Sequence, residues 1–335
     1  MDLRNLIKKH IEKNVIHYFP HLSIKDTSIF VKPYRRFLIT TPYSEGQFLV
    51  EVRIRQKNGR EITKRIFAKK FRNAENEFRN WQKIKKVSFG PLKMIPQYYD
   101  LIREENILLS EYIHPAQNAL YYFLKINIPF KNKDLSQKLM TKIANWLVNF
   151  QKQFTFSQPT SFESYILIAQ RELETLPYFS SEEKKDIIYK IKKESVTISY
   201  LFPVFSGDLY LRHILMKDDK IIVVDWDNLK KTHPYYDIHA LFINLESRTR
   251  HPLFFSKRYI AELEKKFLQT YQDLSNFEFS EKVYKLTRIL YLIHFLYSYN
   301  WRYKNKIFHT KKMPFWRYFI YNIRKEIKGY LKDEL

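Results

Sequence analysis

The chain contains no cysteine and only five glycines among its 335 residues. The absence of thiols excludes disulfides, thiolate metal sites and cysteine nucleophiles. Its ten histidines do not occur in a His-Glu-x-x-His pattern, so zinc is unsupported. No segment reads Gly-x-x-x-x-Gly-Lys-Ser/Thr, which argues against a P-loop enzyme. Composition and missing motifs therefore remove several classes of enzyme at the outset.

Long apolar runs are also absent. The most apolar stretch, Ile289 to Tyr299, is about eleven residues long, too short to cross a bilayer, and predicts a buried helix. The N-terminus lacks the continuous apolar core of a signal peptide and predicts an amphipathic helix within residues 1–28. We expect a cytoplasmic protein, with peripheral association at the inner membrane as an alternative.

Acidic residues are in the minority, 35 against 59 lysines and arginines, which gives a formal net charge of +24. Aromatic and basic residues interleave from Trp301 to Lys325. This mixture suits an anionic membrane surface or an anionic glycolipid. The alternative is a pair of helices that bury their aromatics and solvate their lysines. No nucleic-acid-binding motif accompanies the charge, so a nucleic-acid partner is not expected.

The most informative segment runs from Ser206 to Asp227. It holds two short apolar runs around a polar turn, which predicts a hairpin with His213 before one strand and Asp225 after the other. Antiparallel pairing would bring those two residues side by side, and Asp208 lies five residues before His213. A base and divalent-cation ligands are what phosphoryl transfer requires. The alternative is two unrelated surface aspartates that flank a hairpin, because aspartate is common in turns.

The upstream sequence predicts strands followed by a helix. Tyr34 to Thr40 and Phe48 to Arg55 are strand-like, and Asn58-Gly59 is a hairpin signal before a third strand, Thr63 to Phe71. Ala74 to Lys86 has helical periodicity.

A lysine on a third strand paired with a glutamate on the next helix is how a kinase N-lobe grips the α- and β-phosphates. We choose Lys69 and Glu77, with Lys70 and Glu75 as the alternatives in register. A solvated lysine pair on an edge strand is the other interpretation.

The Gly207-Asp208-Leu209 turn and the apolar strand that ends in Asp225-Trp226-Asp227 resemble the aminoglycoside phosphotransferase and choline kinase branch of the protein-kinase-like superfamily. The stretch from Asp208 to Leu215 is more similar to the heptose and Kdo kinases of the lipopolysaccharide core, which carry tyrosine two residues after the aspartate and histidine in place of asparagine. His233 to Ile238 resembles the segment in which an aspartate supports the catalytic loop.

The resemblance implies specific roles for these residues. Asp208 would be the catalytic base, His213 and Asp225 the magnesium-side residues, and Asp237 structural. The cofactors would be ATP and Mg²⁺. The acceptor would be a sugar hydroxyl, in the lipopolysaccharide core or a related anionic glycan.

The remaining nucleotide contacts follow the same order of elements. The loop from Thr41 to Gln47 would cover the phosphates, with Ser44 as a contact, although it holds one glycine rather than three. Main-chain groups from Glu111 to Ile113 would meet the adenine edge.

Strands first and helices afterwards predict an α+β fold. The resemblance implies a two-lobed protein-kinase-like fold with an antiparallel-sheet N-lobe over residues 29–113 and a mainly helical C-lobe over 114–335. The C-lobe would hold the catalytic loop within 206–227 and an acceptor-side helical insertion over 158–196, where Ser180 to Glu183 suggests a helix-capping box.

Two alternatives to a sugar kinase stay open. One is a phosphotransferase for a small cationic acceptor of the aminoglycoside or choline type, although the basic chain favours an anion. The other is a catalytically dead kinase fold that serves as a binding module, suggested by Ser206, His213 and the glycine-poor loop.

Overall fold

The computed structural model describes residues 2–34, 46–88, 93–128, 130–198, 200–248, 256–275, 279–304 and 315–332. Its contacts divide the chain into two compact units. The first contains residues 1–117 and 213–229, and the second contains residues 118–212 and 230–335.

Within the described ranges the helices are α1 (Leu3–Tyr18), α2 (Ala74–Ile84), α3 (Ala119–Asn127), α4 (Lys133–Gln153), α5 (Phe162–Thr175), α6 (Ser181–Ser195), α7 (Tyr236–Arg248), α8 (Lys257–Leu274), α9 (Glu281–Lys304) and α10 (Phe315–Lys332). The strands are β1 (Ile24–Pro33), β2 (Gln47–Gln56), β3 (Glu61–Lys70), β4 (Tyr98–Ile102), β5 (Ile107–Glu111), β6 (Gln117–Asn118), β7 (Thr160–Ser161), β8 (Tyr200–Leu201), β9 (Val204–Ser206), β10 (Ile214–Lys217), β11 (Lys220–Val223) and β12 (Lys230–Thr232).

The first unit is built on a five-stranded antiparallel sheet with the order β1-β2-β3-β5-β4. Apolar residues recur at every second position of the strands and therefore share one face of the sheet. In β2 these residues are Val50, Val52 and Ile54, which are almost fully buried. Helix α1 packs Ile7 and Ile11 against this same apolar face. One face of the sheet therefore forms the core of the unit.

The sequence did not predict the first strand that the structure describes. Strand β1 covers Ile24–Pro33, whereas the predicted strand began at Tyr34 and residues 35–40 of it fall outside the described residues. The predicted N-terminal helix is present but ends at Tyr18. In β1 the apolar residues point to both faces, since Ile29 is buried and Phe30 is 41% exposed, and this conceals the two-residue period.

The turn between β2 and β3 is the predicted Asn58-Gly59 hairpin. Gly59 has φ 83°, a left-handed conformation that glycine adopts without steric cost. At the other end of β2, a Cβ on Gly46 would lie 2.8 Å from the Cβ of Lys70. The single glycine of the predicted phosphate-covering loop is thus required by a close approach to β3.

The second unit is mainly helical. Helices α5, α6, α7, α9 and α10 share one apolar core, and α4 packs with α8. The predicted capping box is present at α6, where Ser180 accepts from the Glu183 amide and the Glu183 carboxylate accepts from the Ser180 amide. The predicted apolar run from Ile289 to Tyr299 lies inside α9. No helix within the described ranges is both long and apolar enough to span a bilayer.

The structure describes only some of the interleaved aromatic and basic side chains of the C-terminal region. Trp301 is 51% exposed and Tyr321 is 58% exposed. The side chains of residues 302–319 lie outside the described residues.

A buried arginine joins four helices of the second unit. From α9, the Arg288 guanidinium bonds Glu326 of α10 at 2.7 Å, Glu246 of α7 at 2.9 Å and Glu264 of α8 at 3.2 Å. Burial raises the pKa of Glu246, Arg288 opposes this rise, and the neighbouring glutamates add to it. One guanidinium group therefore pairs with three carboxylates and compensates part of their negative charge.

We expect Arg288→Met to destabilise the protein by about 3–5 kcal/mol, because it leaves buried carboxylates without their counter-ion. Lys285→Met is the matched control on the same helix, since Lys285 pairs with Glu281 at 3.0 Å in an exposed i,i+4 arrangement. The control should cost less than about 1 kcal/mol. Urea unfolding measures both, and equal losses would refute a structural role for the Arg288 cluster.

Candidate functional site

In the first unit, Lys69 is placed by the alternation of β3. Ile66 and Ala68 point into the core and are fully buried, so Lys69 projects from the opposite face of the sheet. Its ammonium donates to Asp225 Oδ1 at 2.8 Å and lies 3.5 Å from Glu77 Oε2. The Phe71 ring lies 4.0 Å from the same nitrogen. One lysine therefore bridges two carboxylates that are distant in sequence.

Glu77 is held in an almost fully buried position in the first turn of α2, at 3% exposure. Tyr98 of β4 donates its hydroxyl to Glu77. Burial raises the pKa of Glu77, and attraction to Lys69 opposes the rise. Burial lowers the pKa of Lys69, but Glu77 and Asp225 more than compensate and bring it above its ordinary value. Lys69 is therefore a permanent cation whose position Glu77 fixes.

The structure also distinguishes the two possible registers. Lys70 pairs with Glu105 at 2.5 Å and does not contact Glu77 in the described structure. Glu75 lies near Arg79 and Arg103 on an exposed surface, at 3.7 and 4.0 Å. The predicted first choice, Lys69 with Glu77, is the pair that forms.

The predicted hairpin is formed by β10 and β11, with Ile214 opposite Val223. Beyond the last pair, the Val224 amide donates to the His213 carbonyl at 2.8 Å. His213 Nε2 then lies 3.2 Å from Asp225 Oδ2, as antiparallel pairing predicts. Asp225 has φ 75°, a conformation that an L-residue adopts at some energetic cost and that aspartate tolerates better than most. Strained backbone of this kind concentrates at functional sites.

Side-chain amides of α2 hold the main chain after Asp225. Asn80 Nδ2 donates to the Trp226 carbonyl at 3.0 Å and to the Asp227 carbonyl at 3.1 Å. Asn76 Nδ2 donates to the same Asp227 carbonyl at 2.5 Å. Helix α2 thus positions both Glu77, which contacts Lys69, and the segment that carries Asp225.

Asp225 is also the residue that could hold a divalent cation. Mg²⁺ prefers oxygen ligands and keeps several waters, so one carboxylate with substrate phosphates suffices. Asp225 supplies that carboxylate, while His213 offers an imidazole, a softer ligand. Within the described ranges no three His, Asp or Glu side chains form a ready-made metal cluster. Asp225 is therefore the candidate ligand for a divalent cation, with His213 beside it.

In the second unit, Asp208 sits on the loop that follows β9 and has φ 57°. Asp237, at the start of α7, supports this loop by accepting from the Gly207 amide at 3.3 Å and from the Leu209 amide at 3.1 Å. Burial raises the pKa of Asp237 to about 6, and the nearby Asp208 charge contributes in the same direction. The loop is thus held by main-chain bonds, and Asp237 occupies the supporting position that the resemblance implies.

Two further residues contact this loop. The Tyr236 hydroxyl bonds the Asp208 carboxylate, and Lys230 Nζ donates to that hydroxyl at 2.5 Å. Burial raises the pKa of Tyr236 and lowers the pKa of Lys230. Asp208 Oδ1 is buried and has no hydrogen-bond partner in the described part of the chain. Asp208 is thus anchored through one interaction and keeps one acceptor oxygen for another donor.

The other residues predicted to contact the nucleotide are Glu111, Ile113 and Ser44. The Glu111 carboxylate pairs with Lys93, and its amide donates to the Gln97 carbonyl at 2.7 Å. Ile113 is buried at 8% exposure. Ser44 lies outside the described residues, as does most of the predicted loop from Thr41 to Gln47.

Solved structures share this architecture. A choline kinase from Streptococcus pneumoniae is 16% identical, with a TM-score of 0.54, and the match covers 96% of this chain and 100% of that one. A choline/ethanolamine kinase family protein from Mesorhizobium loti is 12% identical with a TM-score of 0.54, over 84% of this chain and 85% of that one. An ethanolamine kinase from Plasmodium vivax is 13% identical with a TM-score of 0.51, over 90% and 84%.

The chain has a two-lobed, α+β kinase-like fold. The predicted fold class is therefore confirmed. No protein-family model and no curated protein sequence matches the chain. At such low identities, structural similarity shows the fold alone.

Sequence reasoning missed residues that contact the candidate functional groups of each unit. Asn76 and Asn80 belong to a segment predicted only as a helix, and Tyr98 lies in strand β4, which was not predicted. Lys230 reaches the Asp208 loop because β12 pairs with β9, placing Lys230 opposite Ser206. The available signal was a lysine shortly after the predicted hairpin, which is too weak to identify a contact of this kind.

We expect Asp237→Asn to change how stability depends on pH. The folded pKa of Asp237, about 6, lies above its ordinary value of 3.8, so the folded protein binds the proton more tightly than the unfolded chain does. This contribution is fully present below pH 3.8 and is lost as pH rises through 6. Between pH 4 and 7 the wild type should lose up to roughly 3 kcal/mol relative to the variant.

Urea unfolding of both proteins across this pH range tests the expectation. Asp186→Asn, at an exposed position of α6, is the control and should run parallel to the wild type. A constant difference between wild type and Asp237→Asn would show that Asp237 titrates normally in the folded state.

Proposed function

We propose that the protein is an ATP-dependent phosphotransferase that transfers the γ-phosphate to the hydroxyl group of a sugar, in the lipopolysaccharide core or a related anionic glycan. The observation that carries the proposal is the contact of Lys69 with both Glu77 and Asp225. A lysine fixed by a buried glutamate beside a carboxylate is what a kinase-like fold uses to bind nucleotide phosphates and their metal.

Each group has a distinct task in this proposal. Lys69 binds the nucleotide phosphates, and Glu77 keeps its ammonium in place. Asp225, with His213 beside it, is the candidate ligand for Mg²⁺, which neutralises phosphate charge when it is bound. Because the Glu111 amide is already bonded, adenine recognition in that segment falls to the main chain at Ile113. Ser44 remains a proposed phosphate contact.

Asp208 is the proposed base. Its carboxylate accepts the proton of the acceptor hydroxyl, whose oxygen then attacks the γ-phosphorus while the bond to the β-phosphate oxygen breaks and ADP leaves. The unsatisfied Oδ1 of Asp208 supports this role, because a base needs an acceptor atom that the protein itself does not occupy.

The choice of acceptor rests on charge. A net charge of +24 favours an anionic partner. A small cationic alcohol is the second candidate, because solved structures with this fold include choline and ethanolamine kinases. Exposed Trp301 and Tyr321 are compatible with a peripheral contact to an anionic membrane.

ATP with Mg²⁺ should stabilise the wild type by about 2.7 kcal/mol at a nucleotide concentration one hundred times its dissociation constant. Asp225→Asn should lose the magnesium-dependent part of this stabilisation, because the charge is removed while asparagine still tolerates the left-handed backbone. Thermal-shift titration with ATP, with and without Mg²⁺, measures both.

Asp218→Asn is the matched control, since Asp218 also has a positive φ and lies in the turn of the same hairpin. Asp208→Asn should keep the full stabilisation by ATP while abolishing turnover. If no nucleotide stabilised the wild type, the kinase fold would be a binding module without phosphotransferase activity.

Lys69→Met should weaken ATP binding by roughly 10- to 100-fold, the effect of losing a charged hydrogen bond of about 1.5–3 kcal/mol. Lys70→Met should leave ATP affinity nearly unchanged, because Lys70 pairs with Glu105 at a half-exposed position. Isothermal titration calorimetry on the two adjacent variants compares them directly. Equal losses in both would mean that general positive charge, and not the Lys69 contact, binds the nucleotide.

A further inference from the structure

Lys230 is fixed beside the Asp208 loop by main-chain pairing. Strand β12 runs antiparallel to β9, with Lys230 opposite Ser206, two residues before Asp208. Its position therefore depends on the backbone and not on a flexible side chain alone.

The ammonium of Lys230 lies against an aromatic ring and among carboxylates. Its Nζ is 2.5 Å from the Tyr236 hydroxyl and 3.8 Å from the centroid of the same ring. The charges of Asp208, Asp237 and Glu172 all act on it. An aromatic face with nearby carboxylates is the environment that binds ammonium and quaternary ammonium ions.

Two of these three carboxylates already have other donors. Asp237 accepts from the Gly207 and Leu209 amides. Glu172 lies 2.6 Å from His294 Nδ1. Asp208 is the carboxylate linked to Lys230 by a hydrogen-bond chain, because the Tyr236 hydroxyl bonds both residues.

A second aromatic ring of the loop is also covered by a cation. The Arg212 guanidinium lies 5.2 Å from the centroid of the Tyr210 ring, two residues after Asp208. The hydroxyl of Tyr210 is 3.5 Å from that of Tyr291. Both tyrosine faces beside the proposed base are therefore occupied by cations of the chain itself.

We infer that Lys230 is a specificity-determining residue that fills the cation-binding position beside Asp208 and so excludes acceptors with a positive charge next to the reacting hydroxyl. The inference rests on the proposed function in one respect, that Asp208 meets the acceptor. An ammonium group that approaches Asp208 would face the fixed charge of Lys230 at short range, in a partly buried site where repulsion is weakly screened. The acceptor is therefore a neutral or anionic alcohol, as a phosphorylated sugar is, and not an alcohol of the choline type.

Choline is the probe for this inference, because it carries a quaternary ammonium two carbons from its hydroxyl. Isothermal titration calorimetry with choline should detect no saturable binding to the wild type. Lys230→Met should bind choline at least about tenfold more tightly, because the aromatic face and the Asp208 charge become available to it. Lys230→Arg, which keeps the charge, should behave as the wild type does.

Lys231→Met is the matched control. Lys231 is the next residue of the same strand, and its Nζ lies 4.5 Å from the centroid of the Phe156 ring. Removing this lysine frees an aromatic face away from Asp208, so choline binding should stay absent. Lys230→Gln serves as a second neutral variant in case methionine prevents folding.

The outcomes separate this inference from the proposed function. Saturable choline binding by the wild type, or no saturable choline binding by either Lys230→Met or Lys230→Gln, overturns the role of Lys230. ATP and Mg²⁺ are titrated into the same samples by thermal shift, and failure to stabilise the wild type refutes the kinase assignment instead. Choline binding that appears only when Lys230 is neutralised supports the exclusion mechanism.

Discussion

The ion pair between Lys69 and Asp225 is the contact on which the first unit's candidate site depends. It joins a central strand of the sheet to the end of a hairpin more than 150 residues later in the chain. Lys69 remains charged although it is largely covered, because two carboxylates attract it. Replacing Lys69 would leave the carboxylates of Glu77 and Asp225 without the cation they share, which costs more than the loss of an exposed pair. The positions of Lys69, Glu77 and Asp225 therefore depend on the charges that these side chains carry.

Asp208 and Asp225, the two central carboxylates of the candidate sites, share an unusual backbone conformation. Asp208 and Asp225 both have positive φ, and a side chain fixes the main chain next to each of them. The Asp237 carboxylate accepts from the Leu209 amide in one unit, and the Asn80 side-chain amide donates to the Trp226 carbonyl in the other. Left-handed backbone at a residue other than glycine persists only where the surrounding structure enforces it. Such enforcement removes rotational freedom from the carboxylate before any ligand binds, so less entropy is lost when a substrate is positioned.

The sequence allowed the local parts of this structure to be predicted. The hairpin that brings His213 to Asp225 and the capping box at Ser180 follow from short-range patterns. The pairing of Lys69 with Glu77 was chosen by comparison with a kinase N-lobe, with Lys70 and Glu75 as alternatives. Strand β1 was not predicted because Ile29 and Phe30 are apolar neighbours on opposite faces, which hides the two-residue period.

Contacts that arise from pairing of distant strands could not be predicted in the same way. Lys230 lies beside Asp208 only because β12 pairs with β9, and no local pattern specifies that register. Tyr98 and Asn80 likewise acquire their roles from where β4 and α2 pack.

The net charge of the protein and the local charge around Asp208 have different effects on acceptor binding. A net charge of +24 raises the local concentration of any anionic partner but cannot choose among acceptors once one is bound. Discrimination requires a charge that is fixed and partly desolvated, because only such a charge interacts strongly over a few ångströms. Lys230 meets both conditions, through its strand register and its contact with Tyr236. Under the proposed function, one lysine on a strand next to the Asp208 loop therefore sets the charge of the acceptor, with no change to the groups proposed to bind the nucleotide.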